Sequence, residues 1–320
     1  MPEPVLDQQI AAAIARDLAK YGPRDRLRAD NLAEIRADFL RRRLERGMSG
    51  GPAMRESRDI EAALPGRRIR LRLHVPENAA QAGPALFYFH GGGWAWGSID
   101  THDRIMRELA QRAACRVVGV DYRKAPEHPF PLPFEDCRDA TAHVLARAGE
   151  LGIDPARFAL GGDSAGANLA LAVGLDMAAA GRVPATLLLY YGTFDCDLGT
   201  PSYLAPSGDG RFGLSRSDMA LFLGWYLGGD GTSADPRAVP LRGELSLLRR
   251  AFLLGCGLDP LRDDNRLLAG ALAASGVRFD FRELPDACHG FLFMAEDVAA
   301  SRAALAAGAA HLAAAFVPAG

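Results

Sequence analysis

The sequence predicts an α/β fold in which a mostly parallel central sheet is flanked by helices and carries a helical cap. From about residue 65 onward, apolar runs of strand length alternate with helical stretches, and this alternation indicates crossover connections between parallel strands. The chain has 320 residues, 49% of them hydrophobic and 24% charged, which is typical of a soluble globular protein. Glycine-rich segments follow two of the apolar runs, at the edge of the sheet where such folds bind ligands.

Residues 1–55 are predicted to be a helical cap segment. Two sets of apolar side chains recur there at near-helical spacing, on either side of a Tyr-Gly-Pro break at 21–23. The basic run from Arg36 to Arg46 is interleaved with acidic residues and is predicted to form one solvated helix face. No linker rich in Gly, Ser or Pro follows, so the segment is expected to act as a lid. The two apolar sets are Val5, Leu6, Ile10, Ile14 and Leu18, and Leu32, Ile35, Phe39 and Leu44.

Residues 56–320 are predicted to form the main α/β domain, which also contributes a second cap segment. Residues 197–240 interrupt the alternation with many Gly, Pro, Ser and Asp residues around a helical patch at 221–227, and they are predicted to be that segment. The predicted strands are 69–75, 85–89, 117–120, 158–160, 187–191, 252–254 and 277–284, and the predicted helices include 102–113, 136–148, 165–180 and 263–275.

The composition argues against several classes of partner. The net charge is −2, so neither a nucleic acid nor an anionic membrane is expected to bind. No stretch resembles a signal peptide or is long enough to span a bilayer, and the expected location is cytoplasmic. The cysteines are odd in number and widely spaced, which predicts buried thiols rather than disulfides or a metal site. They are Cys115, Cys137, Cys196, Cys256 and Cys288.

The segment after the apolar run that ends at Leu160 is predicted to be a nucleophile elbow. Gly162, Ser164 and Gly166 match the pattern G-x-S-x-G, and an Ala/Leu-rich helical stretch follows. The turn from strand to helix in such an elbow is so tight that only small residues fit two positions before and after the serine. The alternative is a glycine-rich turn with an incidental serine. In this strand–turn–helix context, the pattern predicts an α/β-hydrolase fold with Ser164 as the nucleophile.

A serine hydroxyl needs a base, and the chain offers seven histidines. In the order Ser…Asp/Glu…His of this fold the base follows the last strand, which selects His289. His311 lies within an Ala/Leu-rich helix and is predicted to be structural. The acid should follow the preceding strand, which selects Asp259. Asp263 and Asp264 open the next helix and are predicted to cap it.

The stretch HGGGWAWG at 90–97 follows a buried strand and has a role in this scheme. Attack on an ester carbonyl creates an oxyanion, which needs preorganised N–H donors. Consecutive glycines expose backbone N–H groups without Cβ atoms in the way, and Ala165 N–H beside the nucleophile is the expected further donor. Trp94 and Trp96 lie just beyond the glycines and are predicted to line the substrate pocket, although packing beneath the cap is an equal alternative.

Five segments together resemble the hormone-sensitive-lipase family of α/β-hydrolase esterases, over about residues 65–316. The stretch GSIDTHDRIMRELA at 97–110 is most similar to bacterial acetyl esterases, whereas Arg249-Arg250 replaces a Pro-Pro pair that is usual in the family. The five segments are HGGGW at 90–94, YRKAPEHPFP at 122–131, GDSAG at 162–166, LDPLRDD at 258–264 and HGF at 289–291.

The resemblance implies a role for each matching residue. It makes Ser164 the nucleophile, Asp259 the acid and His289 the base of a catalytic triad. It further implies that Gly92, Gly93 and Ala165 supply the oxyanion hole, that His90 shapes its loop, and that Arg123 and Glu127 tie loops beneath the site.

The predicted function is therefore hydrolysis of short-chain acyl esters through an acyl-enzyme intermediate, without a metal or organic cofactor. The expected partner is a small-molecule ester, and a homodimer is compatible with the sequence. An amidase or formamidase on the same triad is the alternative enzyme. A ligand receptor is the alternative from another class, and the presence of His289 argues against it.

Overall fold

A single eight-stranded sheet forms the centre of the described chain, in the order β1-β2-β4-β3-β5-β6-β7-β8. The computed structural model describes residues 5–23, 26–45, 50–205 and 208–317. The strands from β4 to β8 along this order are parallel, whereas β1 and β2 are antiparallel to their neighbours. The strands are β1 (Met54–Leu64), β2 (Arg67–Pro76), β3 (Gly83–Phe89), β4 (Arg116–Val120), β5 (Ile153–Asp163), β6 (Leu187–Tyr190), β7 (Arg250–Leu258) and β8 (Arg278–Cys288).

Helices cover both faces of this sheet, so the predicted α/β-hydrolase architecture is confirmed. Side chains alternate along β3: Leu86 and Tyr88 belong to an apolar core shared with α3 and α9, and Phe87 and Phe89 to one shared with α4, α5 and α8. The helices are α1 (Gln8–Tyr21), α2 (Leu32–Glu45), α3 (Asp103–Ala113), α4 (Leu132–Ala146), α5 (Ala165–Ala179), α6 (Pro201–Leu204), α7 (Arg216–Leu227), α8 (Arg262–Ala274) and α9 (Ala299–Phe316).

Strand β1 was missed by the sequence reasoning. Its sequence, MRESRDIEAAL, is mostly charged, and most of its residues are exposed because it is the edge strand of the sheet. It pairs with β2 over nearly its whole length, from Met54 opposite Pro76 to Leu64 opposite Arg67. Its apolar alternation is confined to Ile60, Ala62 and Leu64, which pack against the core at its C-terminal end, and is too short to reveal the strand.

The predicted solvated face from Arg36 to Arg46 is wrong at Arg42 and Arg43, whereas Arg41 and Glu45 are exposed and Arg46 lies outside the described residues. Arg42 and Arg43 are each only 6% exposed. Arg42 pairs with Asp38 and donates to two carbonyl oxygens at the end of α1. The Arg43 guanidinium lies 3.7 Å from the centre of the Phe293 ring. These side chains point inward because they supply the polar and cation–π contacts that dock α2.

All five cysteine side chains are buried, as predicted. In the described ranges, no helix combines the length and the apolar character that crossing a membrane would require.

Four parallel strands each lead directly into one segment of the predicted site. Strand β3 ends at Phe89 before the HGGG loop, and β5 ends at Asp163 before the predicted nucleophile. Strands β7 and β8 end one residue before Asp259 and His289, respectively. Because parallel strands bring their carboxyl ends to one edge of the sheet, segments far apart in the chain meet there.

Candidate active site

Ser164 occupies a strained turn between β5 and α5. Its backbone dihedral angles are φ +55° and ψ −123°, a conformation that non-glycine residues rarely adopt. A Cβ atom at Gly162 or Gly166 would overlap the carbonyl oxygen of Phe89 on the neighbouring strand. The two glycines of the motif therefore let β3 approach the turn, which is the geometry expected of a nucleophile elbow.

The side chains of Ser164, His289 and Asp259 form a continuous hydrogen-bonded series. The His289 Nε2 atom lies 2.9 Å from Ser164 Oγ, and its Nδ1 atom lies 2.7 Å from Asp259 Oδ2. Asp259 is fully buried, and its other oxygen accepts from Leu261 N–H at 2.9 Å. A buried carboxylate at Nδ1 favours a proton on that nitrogen, which leaves the Nε2 lone pair facing the serine hydroxyl. The structure thus brings together the three residues that the sequence selected.

Asp263 and Asp264 lie in the first turn of α8, as predicted, but neither caps the helix with a hydrogen bond, so this part of the prediction is wrong. The N–H group of Asp263 instead donates to Ser202 Oγ at 3.3 Å. Asp263 accepts from Ser202 N–H at 2.7 Å, and Asp264 accepts from Phe194 N–H at 2.8 Å. Both carboxylates therefore anchor the stretch 194–202, within which the predicted second cap segment begins. Their partners lie more than 60 residues away in the chain, so local sequence carried no sign of these contacts.

We expect Asp264→Asn to stabilise the protein more at pH 8 than at pH 5. Burial raises the pKa of the Asp264 carboxyl from 3.8 to about 7, although the N–H groups of Phe194 and Asp195 oppose this rise. Between pH 3.8 and about pH 7, Asp264 is deprotonated in the unfolded chain but protonated in the folded protein, so the free energy of unfolding falls as the pH rises. Asparagine removes that dependence.

The measurement is the melting temperature of both proteins at the two pH values. The advantage of Asp264→Asn should widen by on the order of 5 °C from pH 5 to pH 8. An advantage of the same size at both pH values would contradict the raised pKa.

The predicted oxyanion loop, residues 90–97, is held by contacts on its first two residues. The Tyr122 hydroxyl donates to the carbonyl oxygen of His90 at 2.7 Å, and the His90 ring stacks on the Tyr122 ring at 4.2 Å. His90 Nδ1 lies 2.9 Å from Gly91 O, and the N–H of Gly91 donates to Asp163 Oδ1 at 3.1 Å. His90 therefore has structural contacts at the base of the loop, in agreement with a loop-shaping role.

The next two residues of the loop have unsatisfied backbone donors. Gly92 and Gly93 have φ values of +125° and +57°. Over the described residues, no protein acceptor bonds the N–H groups of Gly92, Gly93 or Ala165. Ala165 is the first residue of α5, so its N–H group lies at the positive end of that helix. Donors of this kind are suited to bind an anionic oxygen.

The two tryptophans of the loop pack against α7, the main helix of the predicted second cap segment. Trp94 is 1% exposed and stacks on Tyr226, with ring centres 4.2 Å apart and planes 2° apart. Trp96 is half-buried and meets the edge of Phe222 at 4.7 Å. Trp94 has φ +55°, so the loop is a turn here and the side chains do not alternate as in an extended segment. The role of both tryptophans in a pocket stays a prediction.

Arg36 on α2 is a residue of this site that the sequence reasoning missed. Its guanidinium donates to Ala95 O at 2.7 Å and to Ala125 O at 2.8 Å, and it forms a bidentate pair with Glu127. Arg36 is the main cause that lowers the pKa of Glu127 to about 2. Helix α2 is therefore bonded directly to the oxyanion loop and to the loop that contains Glu127.

The fold and the site together define a hydrolase of the α/β-hydrolase class. The model of the family described as alpha/beta hydrolase fold matches residues 86–293. The chain belongs to this family, which is of the hormone-sensitive-lipase type, and the predicted family is thereby confirmed.

Several relatives are similar over most of the chain. Carboxylesterase NlhH of Mycobacterium tuberculosis is 38% identical over 249 residues, which is 76% of this chain and 77% of that protein. Esterase LipI of the same organism is 36% identical over 263 residues, or 80% of this chain and 81% of that protein.

Solved structures resemble the whole architecture. The thermostable carboxylesterase EstE1, cloned from a metagenomic library, has a TM-score of 0.86 at 35% identity and covers 90% of this chain and 98% of its own. The hyperthermophilic esterase of the archaeon Pyrobaculum calidifontis has a TM-score of 0.89 at 31% identity, with 97% of this chain and 98% of its own covered.

Proposed function

We propose that this hydrolase cleaves short-chain carboxylic esters through an acyl-enzyme intermediate, with Ser164, His289 and Asp259 as its catalytic triad. The observation that carries the proposal is the hydrogen-bonded series from Ser164 Oγ through both nitrogens of His289 to Asp259. The names of the relatives, carboxylesterase and esterase, support an ester rather than another acyl substrate.

The geometry supports a two-step acyl transfer. His289 Nε2 removes the proton from Ser164 Oγ as this oxygen attacks the ester carbonyl, and Asp259 stabilises the resulting imidazolium. The N–H groups of Gly92, Gly93 and Ala165 bind the oxyanion of the tetrahedral intermediate. His289 then gives the proton to the departing alcohol. Water, activated by the same imidazole, attacks the acyl-enzyme and releases the carboxylic acid.

The proposal is tested with an ester and an amide of matched structure. The enzyme should hydrolyse p-nitrophenyl formate with a much higher kcat/KM than N-formyl-4-nitroaniline, because an arylamine is a poorer leaving group than a phenolate. Faster turnover of the formyl amide would show that the enzyme is a formamidase, rather than an esterase, that uses the same triad. Absence of turnover for every activated ester, together with tight binding of a ligand, would indicate a receptor.

We propose that Trp96 limits the acyl chain to short lengths. Trp96 and Phe222 meet edge to face beside the oxyanion glycines, and a Cβ atom on Gly93 would overlap the Phe222 ring. Two aromatic rings at this place leave little room for a long acyl chain. Each methylene that fits a pocket contributes about 0.8 kcal/mol to binding, whereas one that clashes opposes binding.

Trp96→Ala should shift the optimum of kcat/KM toward longer acyl chains while acetyl esters are still hydrolysed. The measurement is a p-nitrophenyl ester series from acetyl to dodecanoyl. Trp94→Ala is the matched comparison, because Trp94 is buried against Tyr226. If Trp96→Ala lowers kcat/KM by the same factor at every chain length, another group sets the preference.

We propose that residues 1–55 form a lid over the active site, with the 197–240 segment as the second part of the cap. Contacts of α2 support this proposal: Arg36 bonds the oxyanion loop, and Phe39 lies 6.1 Å from both Trp96 and Phe293 between ring centres. Phe293 follows shortly after His289, so α2 contacts segments on both sides of the triad. The predicted homodimer and cytoplasmic location stay predictions.

Deleting residues 1–45 should expose apolar surface and lower kcat/KM by about tenfold or more, because the oxyanion loop loses the Arg36 contact. The measurements are kcat/KM and binding of a fluorescent apolar dye. Arg36→Ala in the full chain is the control that separates loss of this contact from loss of the whole segment. A truncated protein with unchanged kinetics would show that these helices have no catalytic role.

A further inference from the structure

The carboxylate of Asp163 is buried beside the nucleophile and belongs to no step of the mechanism above. Asp163 is the last residue of β5 and is 1% exposed. Its Oδ1 atom accepts from the hydroxyl of Tyr88 at 2.8 Å and from the N–H of Gly91 at 3.1 Å. The Nε2 atom of His102 lies 3.3 Å from the same oxygen.

A buried charge of this kind is costly unless its neighbours compensate it. Burial by itself would raise the pKa of Asp163. The attraction and hydrogen bond of His102, with the hydrogen bonds of Tyr88 and Gly91 N–H, outweigh burial and hold the pKa below its ordinary value. The group is therefore an ionised acceptor, and hydrogen bonds to ionised acceptors are shorter and stronger than neutral ones.

Gly91 is the residue that connects this carboxylate to the oxyanion donors. Its N–H group donates to Asp163 Oδ1 at 3.1 Å, with His102 Nε2 as a more distant second acceptor at 3.3 Å, and the two glycines that follow carry the unsatisfied N–H groups. A Cβ atom on Gly91 would lie 2.5 Å from Asp163 Oδ2 and 2.7 Å from Asp163 O, so the loop and the end of β5 are in close contact. The elbow and the oxyanion loop thus meet at one peptide group.

We propose that Asp163 is a positioning residue that fixes the oxyanion loop against the nucleophile elbow. This inference rests on the proposed function. Asp163 precedes Ser164 directly in the chain, so the positions of the two residues are coupled. A hydrogen bond from the Asp163 side chain to Gly91 therefore sets the distance between the attacking oxygen and the oxyanion donors. An error of 1 Å in such a distance costs on the order of 10²-fold in rate.

The test measures three variants on two compounds. One is the substrate p-nitrophenyl acetate, and the other is a p-nitrophenyl phosphonate that phosphonylates the nucleophile. Asp163→Ala removes the acceptor and should lower kcat by on the order of 10²-fold, with KM within about threefold of wild type. The rate of phosphonylation should fall by a similar factor, since both reactions use the oxyanion donors. Asp163→Asn keeps an acceptor without the charge and should restore part of the loss, to a kcat about three- to tenfold below wild type.

Tyr88→Phe is the matched control, because it removes another hydrogen bond of the same oxygen and leaves the contact with Gly91 in place. It should lower the melting temperature and leave kcat within about twofold of wild type. If Asp163→Ala does not fold, the comparison of Asp163→Asn with Tyr88→Phe decides: a fall of kcat and of phosphonylation in Asp163→Asn alone supports the positioning role.

Two results would overturn the inference. One is a wild-type kcat and phosphonylation rate in Asp163→Asn or in a folded Asp163→Ala. The other is a loss of kcat in Tyr88→Phe as large as in the Asp163 variants, since the effect would then follow stability alone. Either result leaves the proposed function intact as long as Ser164→Ala is inactive, whereas an active Ser164→Ala would remove the proposed function itself.

Discussion

Ser164→Ala and His289→Ala are each expected to lower kcat for p-nitrophenyl acetate by on the order of 10⁴ to 10⁶. In the proposed mechanism the proton passes from Ser164 Oγ to His289 Nε2, and these two atoms lie 2.9 Å apart. Members of a triad act as a unit, so loss of either residue should remove most of the acceleration that all three supply. The measurement is kcat of each purified variant, with its fold verified by circular dichroism.

His311→Ala is the control for the histidine. His311 also lies between a hydroxyl and a carboxylate, at 2.7 Å from Thr186 Oγ1 and 2.6 Å from Asp280 Oδ2. Thr186 is fully buried, so this second series cannot meet a substrate and should be structural. His311→Ala should keep kcat within a small factor of wild type. If Ser164→Ala or His289→Ala retains a tenth of the wild-type activity, the proposed mechanism is wrong.

Asp259→Asn is expected to lower kcat by on the order of 10³ to 10⁴, whereas Asp263→Asn should change it only slightly. Asp259 lies 2.7 Å from His289 Nδ1 and fixes the tautomer with a lone pair at Nε2. An amide at this position can donate to Nδ1 and so favour the opposite tautomer, which presents an N–H group to the serine. Asp263 instead accepts from the backbone of Ser202.

The comparison is informative because both carboxylates lie in the same seven-residue segment, LDPLRDD, and each change is isosteric. The measurement is kcat and the pH dependence of kcat/KM for both variants. The pH profile should keep its shape in Asp263→Asn, and kcat of that variant should match wild type within a small factor. A severe loss in Asp263→Asn with a mild one in Asp259→Asn would show that the acid of the triad was assigned to the wrong residue.

Sequence reasoning succeeded where a structural requirement leaves a pattern of residue types within one short segment. The elbow needs glycines at 162 and 166 because Phe89 O occupies the space of their Cβ atoms, and this requirement is visible in a pattern of five residues. Apolar runs revealed the buried strands for the same reason, since burial on both faces leaves a local signature. The order of the triad residues then followed from the order of the strands.

The same reasoning failed where a charged side chain finds its partner in a distant part of the chain. Arg42 and Arg43 looked like members of a solvated face, yet they are buried because carbonyl groups and an aromatic ring of other segments receive them. Asp263 and Asp264 looked like caps of their own helix, yet they bind backbone N–H groups near α6. A charge shows in the sequence that a partner is needed, but not where the partner is.

By itself, then, the sequence determined the class of fold, the family and the candidates for the catalytic triad, because small residues at fixed spacing and buried strands leave local patterns. Only the tertiary structure decided how the oxyanion loop is held. Arg36 from the cap and Asp163 from the elbow meet this loop at Ala95 and Gly91, across separations of 59 and 72 residues. Such contacts depend on the crossing of strands and helices, since hydrogen bonds act over about 3 Å in space whatever the distance along the chain.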